Sequence, residues 1–226
     1  LCLTNPEMRK VFIDNVKEWV ISENLNNVAI SPNDCTAGND AMKGYCECPE
    51  CRALTKLEKG RQSGVLLHFV NDVIQELEKV KPGIRAHTLA YNYTEAPPIR
   101  TMPRDNVVIQ LCATLANNGY PIDSDENDSF RKTLKAWGKI SKNLYIWTYD
   151  INFLQPLSPY PNLCNYADNF SFLRDNKVYG IFAEGDAKNV DIGDFIELRS
   201  YLVGRLLWNP DLDQQKIEKE YNSELA

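Results

Sequence analysis

Apolar residues recur along this chain with two alternating periods. Met8, Val11, Phe12, Val16, Trp19 and Val20 repeat at helical spacing, after an Asn5-Pro6-Glu7 start that suits an N-cap and first turn. Val28-Ala29-Ile30-Ser31 is instead a short unbroken apolar run, the pattern of a strand buried on both faces. Helical spacing returns from Ser63 to Val80, with Val65, Leu66, Phe69, Val70, Val73, Ile74 and Leu77 on one face and Pro82-Gly83 as the stop. Strands are predicted at Arg85–Tyr93 and Val107–Cys112, a helix at Ser129–Ile140, and a strand at Leu144–Tyr149. A helix around Tyr166–Arg174, a strand at Val178–Ala183, a helix at Phe195–Trp208 and a short helix at Leu212–Tyr221 complete the order. Leu1-Cys2-Leu3 reads as the tail of one further strand.

Strands that alternate with helices or long loops imply a parallel sheet with helical crossovers. No dinucleotide glycine fingerprint and no phosphate-loop motif is present, which counts against a Rossmann reading. The expected fold class is therefore α/β: parallel βα repeats, about five to six units, forming the C-terminal part of a TIM-type (β/α)8 barrel. Residues 1–226 are expected to form a single partial domain whose first strands are missing. Such a barrel has an open sheet edge, so upstream strands or another copy of the chain are expected to cover it. Without that cover the site would be incomplete and turnover slight.

In α/β folds the chemistry sits at the C-terminal ends of the strands. Those ends hold Asn33 and Asp34, then Tyr91, Tyr93 and Glu95, then Cys112, then Trp147, Tyr149 and Asp150, then Glu184. Carboxylates mixed with aromatics are what cleavage of a sugar chain requires. Paired carboxyls serve as acid and as base, nucleophile or polarising group, while aromatic faces stack on sugar rings. Asp34 and Glu184 are the candidate catalytic carboxyls, needing no cofactor. Asn33, Tyr91, Trp147, Tyr149 and Asp150 are the candidate substrate-binding residues. The competing reading makes Asp34 an Asx-turn residue, Asp150 a turn cap, and the earlier aromatic of each alternating pair a core filler. It leaves a non-catalytic carbohydrate-binding domain as the alternative function.

The chain carries seven cysteines, so they cannot all pair within it. Cys46, Cys48 and Cys51 fall within six residues, as candidate ligands of a structural zinc or as the source of a local disulfide. Cys35 or a carboxylate is the candidate fourth ligand. With only two histidines, His68 and His87, a histidine-rich catalytic metal site is not expected. The net charge of −6 comes without a basic stripe, which excludes a nucleic-acid partner. No apolar run reaches the length of a membrane span. Asn92, Asn127 and Asn169 head N-x-Ser/Thr sequons, which carry no firm meaning alone.

Taken in order, several segments resemble one family. They are LCLTNP at 1–6, SPND at 31–34, YCECPECRA at 45–53 and SGVLLHFVN at 63–71. TLAYNYTEAPP at 88–98, LYIWTY at 144–149, GIFAEG at 180–185 and LLWNP at 206–210 follow. This succession resembles the domain-of-unknown-function 4838 family, related to glycoside hydrolase family 163. The resemblance implies a TIM-barrel glycosidase acting on a glycan substrate, of endo-β-N-acetylglucosaminidase type, with the substrate's own 2-acetamido group as nucleophile. It also implies a bacterial protein that is secreted, periplasmic or on the cell surface. Cys35 is not part of the family pattern.

Overall fold

The computed structural model describes residues 1–34, 44–155, 157–185 and 193–224. Its described residues form an α/β fold of five parallel strands alternating with helices. The chain divides into two compact units, residues 1–112 with 136–144, and residues 113–135 with 145–226.

In the first unit, helix α1 (Pro6–Ser22) starts where expected: the Asn5 side chain accepts a hydrogen bond from the Met8 amide at 2.8 Å. Strand β1 (Asn27–Ala29) is short. Helix α2 (Pro49–Leu57) and helix α3 (Gln62–Glu78) follow, then β2 (Arg85–Ala90) and β3 (Val107–Cys112). The strands pair in parallel in chain order, with Val28 beside Ala86, and Thr88 beside Ile109. Five of the six β3 residues are buried, as a strand covered on both faces requires. The apolar face of α3 is buried, with Val70, Val73, Ile74 and Leu77 fully inaccessible. Phe12 of α1 meets Phe69 of α3 edge to face at 5.1 Å, and Arg9 lies over the same ring while pairing with Asp72. Two local expectations fail. Leu1–Thr4 is a turn, closed by the Asn5 amide on the Cys2 carbonyl, and no strand forms there. The strand expected to reach Tyr93 stops at Ala90, because Asn92–Thr94 wind into a 3-10 turn that the Thr94 hydroxyl ties to Tyr91.

Glu58, just after α2, is a buried carboxylate that organises the 99–101 loop. It accepts from the amides of Ile99, Arg100 and Thr101 at 2.8–2.9 Å and from the Thr101 hydroxyl at 2.6 Å. Burial alone would raise its pKa, but the Thr101 hydroxyl and the three amides outweigh burial and lower it. Gly64 makes room for this group, since a Cβ there would lie 2.3 Å from the Glu58 side chain. Glu58→Gln turns an amide NH2 toward donors and should cost about 1.5–3 kcal/mol. Because the folded carboxyl has the lower pKa, its contribution is present above the unfolded value near 4.5 and is lost as pH falls through the folded one. Thermal unfolding of both proteins across that acid range should show their difference shrinking.

The second unit contains β4 (Leu144–Tyr149) from Tyr145 onward, α5 (Tyr166–Asp175), β5 (Val178–Glu184), α6 (Ile196–Trp208) and α7 (Gln214–Glu224). Helix α4 (Asp128–Ile140) begins in this unit, and its residues from 136 onward belong to the first. Along β4, Leu144, Ile146 and Thr148 are buried while Tyr145, Trp147 and Tyr149 share the half-buried face. The sequon residue Asn127 is buried, its amide donating to the carbonyls of Asn117, Tyr120 and Pro121.

Candidate functional site

The candidate residues of each unit gather at the C-terminal ends of its strands. In the first unit, Asp34 lies four residues beyond the buried Ile30, and its Oδ1 accepts from the Tyr91 hydroxyl at 3.4 Å. Burial first, and the neighbouring Asp34 charge after it, push the Tyr91 phenol upward. The Asn33 amide donates to the Gly44 carbonyl at 3.1 Å. Asn33 also lines a cavity of about 220 Å³ beside β1, together with Ile30, Tyr45, Val65, Phe69 and Tyr93. Tyr93 does not alternate with Tyr91; its ring packs at 5.5 Å on Tyr45.

Glu95 gains prominence in three dimensions. It follows β2 within the same strand-end segment and is 8% exposed. Among the described residues, no hydrogen bond or ion pair reaches its carboxyl, and burial alone holds its pKa above the ordinary value. Its backbone carbonyl is fixed by the buried Trp137 indole at 2.7 Å. The strand-end pattern names this residue but cannot reveal the burial that sets it apart from an ordinary loop carboxylate.

In the second unit, the Trp147 indole donates to Glu184 Oε2 at 2.7 Å. The Trp147 ring stacks with Tyr149 at 6.4 Å and meets Phe182 edge to face at 4.5 Å. Phe153 extends the row, 6.0 Å from Tyr149. These four rings form a row with one carboxylate held against Trp147, one of its two inner members. Trp147 therefore lies in this half-buried row and does not fill the core.

Asp150 is arranged differently from its neighbours. It is buried, accepting from the Thr148 hydroxyl at 2.7 Å and from the Asn162 amide at 3.0 Å. Burial raises its pKa in spite of these donors and the nearby Arg199 charge. Its backbone amide donates to the Glu184 carbonyl at 2.8 Å, so Asp150 braces the residue that ends β5.

The cysteines show what sequence spacing left open. Cys46, Cys48 and Cys51 come together, and Cys2 joins them: all four sulfurs lie within 4.8 Å of one another. The four are free thiols. Cys35, the expected fourth candidate, lies outside the described residues. The Thr4 hydroxyl lowers the Cys2 pKa, whereas burial raises that of Cys51. No local spacing could have signalled Cys2, which is separated from the others by the whole of α1 and β1.

Among the helices of the described residues, none is long and apolar enough to cross a membrane. A solved structure of a mutant Thermobaculum terrenum O-GlcNAc hydrolase is similar at 12% identity and a TM-score of 0.46, over 98% of this chain and 52% of that one. The chain thus spans about half the length of the structure it matches. No curated protein matches it. The family described as Domain of unknown function (DUF4838) matches residues 1–225, and the chain belongs to that family.

Proposed function

We propose that this chain is a glycoside-hydrolase-like domain that acts on glycans. The observation that carries the reading is the Trp147–Glu184 hydrogen bond within the aromatic row of Tyr149, Phe153 and Phe182. A sugar ring has an apolar face that stacks on aromatic side chains and hydroxyls that need polar partners. The row supplies stacking area, and Glu184 supplies a carboxyl whose orientation the indole fixes. Glu184, in the second unit, and Asp34, in the first, are each proposed as a carboxyl for hydrolysis, whether as general acid or as the group that polarises the acetamido group or acts as nucleophile or base. Cleavage of the endo-β-N-acetylglucosaminidase type is the specific form favoured by the motif succession. Upstream strands completing a (β/α)8 barrel, and a secreted, periplasmic or cell-surface setting, belong to the same proposal.

The test is hydrolysis of N-glycans and chitooligosaccharides, with a binding titration on the same sugars. Loss of a general acid or base typically costs ~10²–10⁴-fold. Glu184→Gln is expected to lower kcat by that order with little change in KM, and Asp34→Asn is measured in the same assay. Full activity in both variants would overturn the assignment. Sugar binding without turnover in the unsubstituted protein would establish the carbohydrate-binding alternative instead.

A further inference from the structure

We propose that Cys2, Cys46, Cys48 and Cys51 bind one zinc ion through four sulfurs, and that the ion clamps the segment carrying Tyr45 to the start of the chain. This stands independently of the glycosidase reading. A zinc–sulfur bond of about 2.3 Å in tetrahedral geometry places neighbouring sulfurs roughly 3.8 Å apart. Cys2 Sγ lies 3.6 Å from Cys48 Sγ and 3.7 Å from Cys51 Sγ. A disulfide would need a separation of about 2.05 Å. Those two spacings match edges of a metal tetrahedron, and all four sulfurs lie within 4.8 Å of one another.

The surrounding backbone is formed for thiolates. Cys48 is the N-cap of α2, Pro49 opens its first turn, and the Cys51 amide donates to Cys48 Sγ at 3.5 Å. Both sulfurs therefore sit at the positive end of a nine-residue helix, where negative charge is favoured. The Thr4 hydroxyl approaches Cys51 Sγ at 3.1 Å and Cys2 Sγ at 3.3 Å, within reach to donate to a bound thiolate. Four sulfurs in a tetrahedral array suit zinc or iron. Zinc is the choice here because such closed four-cysteine sites are its usual structural form.

The clamp has a position as well as a ligand set. Tyr45, next to Cys46, packs tilted against Tyr93, and the neighbouring Gly44 carbonyl receives the Asn33 amide. Fixing residues 46–51 against Cys2 therefore fixes Tyr45 and Gly44 beside Tyr93 and Asn33.

Elemental analysis of the whole protein, purified under reducing conditions from zinc-supplemented cells, should find one zinc per chain. Titration with a mercurial should release that zinc as four thiols become reactive. Cobalt exchanged into the site should give sulfur-to-metal charge-transfer absorption and the strong visible bands of a tetrahedral ion. Cys2→Ser should lose most of the metal and change the cobalt spectrum, whereas Cys35→Ser should keep one zinc per chain. Four results would overturn the proposal: no bound metal, iron in place of zinc, a disulfide among these cysteines in the reduced preparation, or full zinc retention in Cys2→Ser. Should Cys2→Ser fail to fold, the cobalt spectrum and thiol release of the unsubstituted protein decide the matter without it.

Discussion

Replacing Arg199 with Met is expected to destabilise the second unit by about 3–5 kcal/mol, the range for removing one partner of a buried ion pair. Arg199 is 7% exposed and its guanidinium is fully engaged. It pairs with the Asp194 carboxylate at 2.8 Å and donates to the Tyr160 carbonyl at 2.7 Å, the Asn162 side chain and the Tyr166 hydroxyl. Asn162 passes the contact on to Asp150. Met fills much of the space, so the loss would come from stranding these polar partners. The sign with pH follows from the two acids. Burial tends to raise the pKa of Asp194, but Arg199 outweighs it, and the folded pKa is lowered. That contribution is present above the unfolded value and disappears as pH falls through the folded one. Asp150 has a raised folded pKa, so its own contribution is favourable below the unfolded value and is lost as pH rises through the folded one. Without Arg199, both acids are better tolerated protonated. Urea unfolding should therefore show a large deficit at neutral pH and a smaller one in acid; an equal deficit at both would argue against this account.

Trp137→Ala should cost a similar amount, about 3–5 kcal/mol, in the first unit. The ring is 1% exposed and closely packed beside Leu67, Thr88, Ala90 and Ile109. Its indole also satisfies the Glu95 carbonyl. Trp137→Phe retains most of the volume but orphans that carbonyl, and should cost only about 1–3 kcal/mol. Comparing urea midpoints of the two variants separates packing from hydrogen bonding. If they are equal, the indole bond is the larger part of what Trp137 contributes.

The helices α1 and α3 were legible because each carries a long apolar face with clear end signals, Asn5-Pro6 and Pro82-Gly83. Strand β3 was legible because a strand buried on both faces needs a nearly unbroken apolar run, and β4 because its branched and aromatic residues favour a strand. Helix α2 was missed: at nine residues it buries little, and its opening Pro49 lies inside what reads as a cysteine loop. At the candidate site, the carboxylates and aromatics were visible as strand-end residues, but their orientations were not. Trp147 and Asp150 are three residues apart, yet one joins an aromatic row and the other turns into a buried polar network. That difference depends on Asn162 and Thr148 donating to Asp150, which no strand-end rule encodes. Leu1–Leu3 misled for a related reason, since its apolar pattern suits a strand while Cys2 and Thr4 draw it into the thiol cluster. Glu58 left no trace in the pattern because its partners are backbone amides about forty residues away.

The division of the chain has a consequence for its synthesis. The first unit includes residues 136–144, which are made only after the 113–135 stretch of the second. When Cys112 leaves the ribosome, β1, β2 and β3 are all outside it, but Trp137 is not. At ~5–20 residues per second, translation takes on the order of seconds to supply it. During that interval the Glu95 carbonyl lacks its indole donor and the gap beside Ile109 stands open to solvent. Nascent chains arrested near residue 112 should accordingly be cut readily by protease, and those arrested well beyond residue 144 should resist.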